Sequence, residues 1–239
     1  GDYGAILRQA GQEADVIVWD GGNNDLPFYG PDLHIVLADP LRPGDEAAFH
    51  PGEANVRMAD LVIIAKCDSA TAGDIAAVEA SVQALNPRAE VLRCDSPVTL
   101  DDPAAVTGRR VVVVEDGPTL THGSLSLGAG VVGAEDGGAA TIVDPTPFAV
   151  GALAATYERY PNARGILPAM GYGEAQTRDL EATIRAMVDA GVVDAVVSGT
   201  PIDLTRVLTV DVPLVRARYS LREQEPGRIE AALRTTLGR

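Results

Sequence analysis

The sequence lacks any apolar run of about 20 residues, the length that a membrane-spanning helix needs. It also lacks a basic cluster: 19 Lys and Arg stand against 34 Asp and Glu, which gives a formal net charge of −15. Nucleic acid is bound by clustered positive charge, so it is excluded as a partner. No basic-then-apolar signal opens the chain, and we therefore expect a cytoplasmic protein that does not contact a membrane.

Cysteine is scarce, and one common phosphate-binding motif is missing. Cys67 and Cys94 are too few and too far apart in sequence for a disulfide framework or a zinc knuckle, so we expect reduced, structural thiols. The pattern G-x-x-x-x-G-K-[ST], whose loop cradles nucleotide phosphates, occurs nowhere in the chain.

The residues that are present indicate an α/β fold. Hydrophobic residues make up 46% and charged residues 22%, as in ordinary globular enzymes. Helical periodicity covers 70–86 and 174–190. Between such segments lie short runs rich in Val and Ile, typical of buried parallel strands. These runs are 14–19, 33–38, 60–65, 89–93, 110–115, 140–143, 192–198 and 212–218.

The connector from Ser96 to Arg109 is rich in Pro, Asp and Gly, as domain boundaries are. We predict an incomplete nucleotide-binding unit over 1–108 and a second α/β unit over 109–239. A single continuous sheet is the alternative.

Polar residues follow the predicted strands. Ligands of parallel sheets bind beyond the carboxyl ends of the strands, so these positions predict a site. The positions, in strand order, are Asp20; Asp39; Lys66 and Asp68; Asp95 and Ser96; Glu115 and Asp116.

Two of these strand ends resemble parts of a nucleotide site. The run Val16–Trp19 ends in Asp20 and two glycines, which is typical of the magnesium side of a triphosphate site, and Asp20 is the predicted metal ligand. The run Ala65-Lys66-Cys67-Asp68 resembles the Asn-Lys-x-Asp base-recognition element of GTPase-like P-loop proteins, with Ala65 in the Asn position. Ser96 falls where such proteins place a base-contacting loop. We expect these residues to bind a nucleotide base without strict guanine preference.

Further motifs extend the resemblance to essentially the whole chain. Together they are similar to the cyclic 2,3-diphosphoglycerate synthetase family and its bacterial GTPase-like relatives. The motifs are Asp20–Asp25, Pro31–His34, Asp39–Gly44, Pro51–Asp60, Glu115–Gly123, Leu167–Gly173 and Gly199–Leu204.

This resemblance implies ATP-driven closure of 2,3-diphosphoglycerate into its cyclic pyrophosphate. It implies Mg²⁺ as cofactor, with K⁺ as a further candidate and GTP as an alternative to ATP. Members of the family carry a Rossmann-like region and the phosphate loop ahead of the point where this sequence starts. We therefore expect that upstream region as a partner, and we expect residues 1–239 alone to show no turnover. Whether the protein is a homo-oligomer is left open.

Cationic residues in the motif loops are the predicted ligands of a small phosphorylated substrate. Arg42 and His122 are the preferred phosphate ligands. His122 is alternatively a general acid or a phosphoryl carrier, and Asp116 a second metal ligand or an orienting group for His122. The same loops supply the other predicted substrate-binding residues, which are Asp25, His50, Arg57, Thr119 and Thr121.

A second interpretation is a GTPase-like regulatory module or a metallochaperone-type module without synthetase activity. Metallochaperones usually carry Cys or His clusters, whereas the two Cys and three His of this chain are scattered. The enzyme is therefore the preferred interpretation.

Overall fold

The computed structural model describes residues 2–22, 25–116, 128–169, 171 and 173–238. The α-helices of these residues are α1 (Tyr3–Glu13), α2 (Asp45–Ala48), α3 (Gly52–Met58), α4 (Ala72–Leu85), α5 (Ala129–Asp136), α6 (Gly151–Arg159), α7 (Glu174–Asp189) and α8 (Arg228–Thr236). The strands are β1 (Ile35–Ala38), β2 (Leu61–Ile64), β3 (Glu90–Asp95), β4 (Val98–Leu100), β5 (Arg110–Asp116), β6 (Thr141–Ile142), β7 (Leu167–Ala169), β8 (Ala195–Ser198), β9 (Leu214–Tyr219) and β10 (Arg222–Glu223).

The chain divides into two compact units. The first comprises Gly1–Pro97 together with Leu221–Arg239, and the second comprises Val98–Ser220. This division lies within the predicted connector, but it places 98–108 in the second unit and returns the C-terminal segment to the first. It therefore differs in its bounds from the predicted division at 108/109.

The first unit is built on a four-stranded sheet in the order β1-β2-β3-β10. β1, β2 and β3 are parallel, and β10 joins β3 antiparallel. All four residues of β2 are buried, as a central strand requires. Thr71 caps the amino terminus of helix α4, and its hydroxyl accepts the N–H of Asp74. The helix buries Ile75, Val78 and Val82 against one face of the sheet.

The second unit is built on a six-stranded sheet in the order β4-β9-β8-β5-β6, with β7 paired to β5. Only β4 is antiparallel to its neighbour among these described strands. Four consecutive valines, 111–114, are fully buried in β5. Val111 and Val113 pack with α5 on one face, and Val112 and Val114 pack with α7 on the other, so a continuous apolar run fits a strand that is covered on both sides.

The predicted α/β class with a mainly parallel sheet is confirmed, although the residues form two sheets. The helices predicted over 70–86 and 174–190 are α4 and α7. The short strands β4, β7 and β10 were not predicted. No helix of the described residues is long and apolar enough to cross a bilayer. The assignment of the first unit to the P-loop class stays a prediction.

The predicted strand over 14–19 is wrong. Residues 14–22 form no strand, and Val16, Ile17 and Val18 are 51%, 43% and 85% exposed. A strand needs a hydrogen-bonded neighbour. β1 lies at one end of the first sheet, and among the described residues it pairs only with β2. The apolar run therefore indicated a tendency to be buried but not the presence of a pairing partner.

Candidate functional sites at the strand ends

The first candidate site lies at the carboxyl ends of β1 and β2, where Asp39 binds two cationic side chains. The Lys66 ammonium lies 2.7 Å from Asp39 Oδ2, and Arg42 donates to the same oxygen at 3.3 Å. Asp39 Oδ1 accepts the backbone N–H of Leu41. The Asp39 side chain is 16% exposed, whereas those of Lys66 and Arg42 are 39% and 31% exposed. Both cations therefore remain accessible to a ligand from solvent.

The loop after β2 has an unusual backbone. Lys66 has a φ of 55°, and it is the one non-glycine residue with positive φ in the described part of the chain. Such a conformation is sparsely populated for residues other than Gly, Asn and Asp, and it is enriched at functional sites. Lys66 is also the chain's single lysine.

Hydrogen bonds from the end of β3 hold this loop. The Lys66 N–H donates to Ser96 Oγ at 3.2 Å, and the Ser96 N–H donates to Asp68 Oδ1 at 2.9 Å. The Cys67 N–H donates to the carbonyl of Cys94. The three predicted nucleotide-binding residues, Lys66, Asp68 and Ser96, are thus brought together.

Asp95 does not join this cluster. Its carboxylate accepts hydrogen bonds from Gln224 and Arg222, which follow the chain's return into the first unit. These two bonds lower the pKa of the Asp95 carboxyl. Asp95 therefore attaches β10 to β3.

Asp20 and Asp25 lie elsewhere in the first unit. Both are exposed and line a cavity of 740 Å³, whose other lining residues come mainly from the segments 14–22 and 27–34, together with parts of α1, β1, α3 and α8. Because 14–19 is not a strand, Asp20 does not end one, and the structural reason for choosing it as the metal ligand is lost. Its role as a metal ligand stays a prediction.

The described residues contain no group of three or more His, Cys, Asp or Glu side chains arranged to hold a metal ion. This does not conflict with a magnesium nucleotide, because Mg²⁺ usually takes one or two carboxylates and completes its coordination with phosphates and water. Asp20 or Asp25 would suit that limited role, since both carboxylates face solvent.

The remaining predicted cations differ in position. Arg42 lies in the Asp39 cluster, and His50 is exposed just ahead of α3. Arg57 pairs with Glu53 one turn earlier in α3 and donates to the carbonyl of Leu85 at the end of α4. Because α3 and α4 lead into β2 and β3, Arg57 lies at the amino ends of these strands. The structure does not bring it to the cluster.

The second candidate site is centred on Glu115 at the carboxyl end of β5. This carboxyl is only 3% exposed, and its Oε1 accepts the N–H of Val131 at 2.9 Å. Burial raises the pKa of Glu115 to about 7; hydrogen bonds from the N–H groups of Val131 and Gly130 oppose the shift, and the charge of Asp116 adds to it. Glu115 thus caps the amino terminus of α5 from the end of the preceding strand.

Three glycines enclose the Glu115 carboxyl. A Cβ added at Gly128, Gly130 or Gly199 would lie closer than 3.0 Å to a carboxyl atom of Glu115. At Gly199 it would also meet the backbone nitrogen of Gly130. Only glycine therefore permits this approach of backbone to carboxyl.

The topology places Glu115 at a switch point of the sheet. β5 and β8 are parallel neighbours, yet the helix after β5 packs on one face while Leu204, after β8, packs on the other. α/β proteins commonly bind ligands at such points, but here the Glu115 carboxyl and the three glycines occupy the space beside the start of α5.

The catalytic prediction in this region is largely untested. Thr119, Thr121 and His122 lie outside the described residues. Asp116 is half-buried and ends β5, where it is in register with Ala169 of β7. Its assigned role, as a second metal ligand or an orienting group for His122, stays a prediction.

Sequence reasoning noticed Asp39 and Glu115 as strand-end residues but assigned them no role. Charge alone does not distinguish a carboxylate that binds several neighbouring groups from an exposed carboxylate in a loop. One available signal was the glycine pattern: Gly128 and Gly130 open a helix, and Gly199 follows a strand. Glycines at such positions indicate a close backbone approach.

Comparison with known proteins gives one informative match. No family model matches the chain. Over 222 residues it is 53% identical to a protein named arginine synthetase ArcE, from Thermococcus kodakarensis. The alignment covers 93% of this chain and 49% of that protein, so the chain spans about half the length of this curated relative.

Proposed function

We propose that this chain binds ATP at the carboxyl edge of its first sheet and takes part in a synthetase reaction that forms arginine. The observation that carries the nucleotide site is the cluster of Lys66, Asp68 and Ser96 at the ends of β2 and β3. The reaction is inferred from the name of the 53% identical relative, an arginine synthetase.

The cluster has the groups that a nucleotide needs. An ionised Asp68 can accept hydrogen bonds from the amino edge of a base, and its Oδ1 is fixed by the Ser96 N–H. Lys66 offers a cationic head on an apolar stem, and Arg42 offers a second cation beside the same Asp39. Both cations are partly exposed, so they can exchange their ion pairs with Asp39 for the anionic groups of a ligand at this edge.

The reaction that forms arginine has a natural use for ATP. Arginine carries a nitrogen where its ureido analogue carries an oxygen, so phosphorylation of that oxygen allows ammonia to displace phosphate. Such a reaction depends on positioning and charge neutralisation. Magnesium bound to the ATP phosphates would supply part of that neutralisation, and Arg42 is the proposed protein cation. K⁺ is a lesser candidate for a neutralising cation, and GTP is a lesser candidate for the nucleotide.

ATP-driven cyclisation of 2,3-diphosphoglycerate is the second candidate. The motifs Asp39–Gly44 and Gly199–Leu204, among others, favour it by their similarity to that synthetase family. Both candidates use phosphoryl transfer from ATP, and they differ in the acceptor.

Nucleotide binding can be measured at Lys66 itself, because no other side chain of the protein carries an amine. The chain is treated with an amine-acylating reagent, and the modified fraction of Lys66 is measured by peptide mass spectrometry as MgATP or MgGTP is added. We expect the nucleotide to protect Lys66 with a saturable dose dependence. Asp68→Asn should weaken this protection by at least about tenfold, since it removes a charged acceptor.

The matched control is Asp60→Asn. Asp60 lies just ahead of β2 and accepts the backbone N–H of His34 at the opposite edge of the same sheet. Asp60→Asn should leave the protection of Lys66 by nucleotide unchanged. If neither nucleotide protects Lys66, or if Asp68→Asn and Asp60→Asn behave alike, the nucleotide site is wrong.

The acceptor is tested by ADP formation from MgATP. One reaction contains a ureido amino acid and ammonium, and another contains 2,3-diphosphoglycerate. With the upstream region that the resemblance implies also supplied, we expect ADP to form together with arginine in the first, whereas residues 1–239 alone should show no turnover. ADP formed only with 2,3-diphosphoglycerate would replace the proposed reaction by the cyclisation.

A further inference from the structure

We propose that Ser96 is a positioning residue of the base loop, residues 65–68, and that its hydroxyl holds the backbone of Lys66 in place. The effect on nucleotide affinity rests on the proposed function. The effect on the loop itself does not.

The bracing is visible in two reciprocal contacts. Ser96 Oγ accepts the N–H of Lys66, and the Ser96 N–H donates to the carboxylate of Asp68. One residue directly after β3 thus holds the backbone of the lysine and the side chain of the aspartate in the loop after the adjacent strand, β2. Ser96 therefore holds both nucleotide-binding groups in one geometry.

The local sequence makes such a brace necessary. Ala65 is buried and has no polar side-chain atom that could hold the loop. Lys66 adopts a left-handed conformation that its own side chain does not favour. A strained backbone persists only when its surroundings over-determine it. Besides the Ser96 contact, the loop is held by the bond from the Cys67 N–H to Cys94 and by the ion pair of Lys66 with Asp39.

This role differs from the one expected from sequence. Ser96 was expected to contact the nucleotide base, whereas here its hydroxyl oxygen accepts one hydrogen bond and its N–H donates another within the loop. Ser96 acts on the ligand through Lys66 and Asp68, and it does not need to touch the ligand.

The test compares three variants in the 239-residue chain. Ser96→Ala removes the hydroxyl, Ser96→Thr keeps one, and Ala65→Asn combined with Ser96→Ala supplies a polar side chain at the neighbouring position. Ser69→Ala is the matched control, because Ser69 is an exposed serine three residues beyond Lys66. The first measurement is amide hydrogen exchange at Lys66 in the free protein, and the second is the nucleotide concentration that protects the Lys66 amine.

We expect Ser96→Ala to speed exchange at the Lys66 amide and to weaken nucleotide protection, each by about tenfold, as the loss of one hydrogen bond implies. Ser96→Thr should behave like the wild type, the double variant should recover at least part of the loss, and Ser69→Ala should change neither measurement.

The outcomes separate the two proposals. If no nucleotide protects the wild-type amine, the proposed function fails, and the exchange measurement still decides the role of Ser96. If nucleotide protects the wild type and Ser96→Ala changes neither exchange nor affinity, Ser96 is not the brace. Faster exchange with unchanged affinity would also overturn the positioning role.

Discussion

The carboxyl edges of the two sheets use their charged residues in opposite ways. In the first unit, Asp39, Arg42 and Lys66 form a cluster in which both cations remain partly open to solvent. In the second unit, a single carboxyl, Glu115, is enclosed by glycines and by the start of α5. At the open edge, the cations can exchange their ion pairs within the protein for pairs with a ligand. At the closed edge, the backbone N–H donors already form hydrogen bonds within the protein.

The difference has an energetic consequence. Partly exposed ion pairs contribute roughly 0–1 kcal/mol each, so rearranging those of the first edge costs little. Removing the hydrogen-bond partners of a buried carboxyl, or filling the space that it occupies, lowers the stability of the folded protein considerably more. We therefore expect substitutions at the second edge to change stability, and substitutions at the first edge to change binding.

The largest effect should come from Gly199→Ala. The added methyl group would overlap the Glu115 carboxyl and the backbone nitrogen of Gly130, and neither can move without displacing α5. We expect a loss of about 3 kcal/mol or more, at the upper end of the cost of overpacking. Denaturant unfolding gives the free energy, and hydrogen exchange of 110–116 and 129–136 shows whether the loss is centred on this edge.

Gly11→Ala is the control for that experiment. Gly11 lies within α1, and nothing lies within 4 Å of an added Cβ. Alanine should stabilise the helix here, by up to about 1 kcal/mol. If Gly199→Ala is as well tolerated as Gly11→Ala, the second edge is not closed around Glu115.

The next effect is a pH dependence that belongs to Glu115. Its folded-state pKa is raised from 4.5 to about 7, chiefly by burial. A raised pKa means that its contribution is fully present below pH 4.5 and is lost as the pH rises through about 7. The loss is on the order of 3 kcal/mol, at 1.36 kcal/mol for each unit of pKa.

Glu115→Gln removes this titration and keeps a carbonyl oxygen that can accept the N–H of Val131. Between pH 5 and pH 8, the free energy of unfolding should fall more steeply in the wild type than in the variant. The difference between the two slopes isolates Glu115 from all other titrating groups. Parallel pH profiles would show that the carboxyl is not buried in the folded protein.

Sequence patterns predicted the regular elements of the core because each pattern reports burial directly. The valine run of β5 and the apolar face of α4 both became buried where expected. The run Val16–Trp19 has the same character and forms no strand. Composition reports the tendency to be buried, whereas pairing depends on which backbone lies alongside.

The sites show the same limit. The spacing of Lys66 and Asp68 after β2 predicted that they would act together, because residues in one short loop remain close in any fold. The contacts of Lys66 with Asp39 and Ser96 join residues 27 and 30 positions apart, and these depend on strand order. Likewise, Glu115 meets Gly199 only because β8 lies beside β5.

The smallest effect should be that of Arg57→Gln, and it tests whether function is confined to the carboxyl edge. Arg57 was predicted to bind substrate, yet it pairs with Glu53 in an i,i+4 geometry at the amino edge and its side chain is 52% exposed. Its removal should change stability by no more than about 0.5 kcal/mol.

The informative measurement pairs this variant with Arg42→Gln. Both substitutions remove one partly exposed, ion-paired arginine from the first unit, so they change the net charge equally. Arg42→Gln should weaken the protection of Lys66 by MgATP several-fold, because Arg42 shares Asp39 with that lysine, whereas Arg57→Gln should leave it within about twofold of the wild type. Equal losses of protection in the two variants would mean that ligand binding depends on the overall charge of the unit or that the ligand extends to the amino edge. Either result would contradict the contrast between an open binding edge and the rest of the sheet.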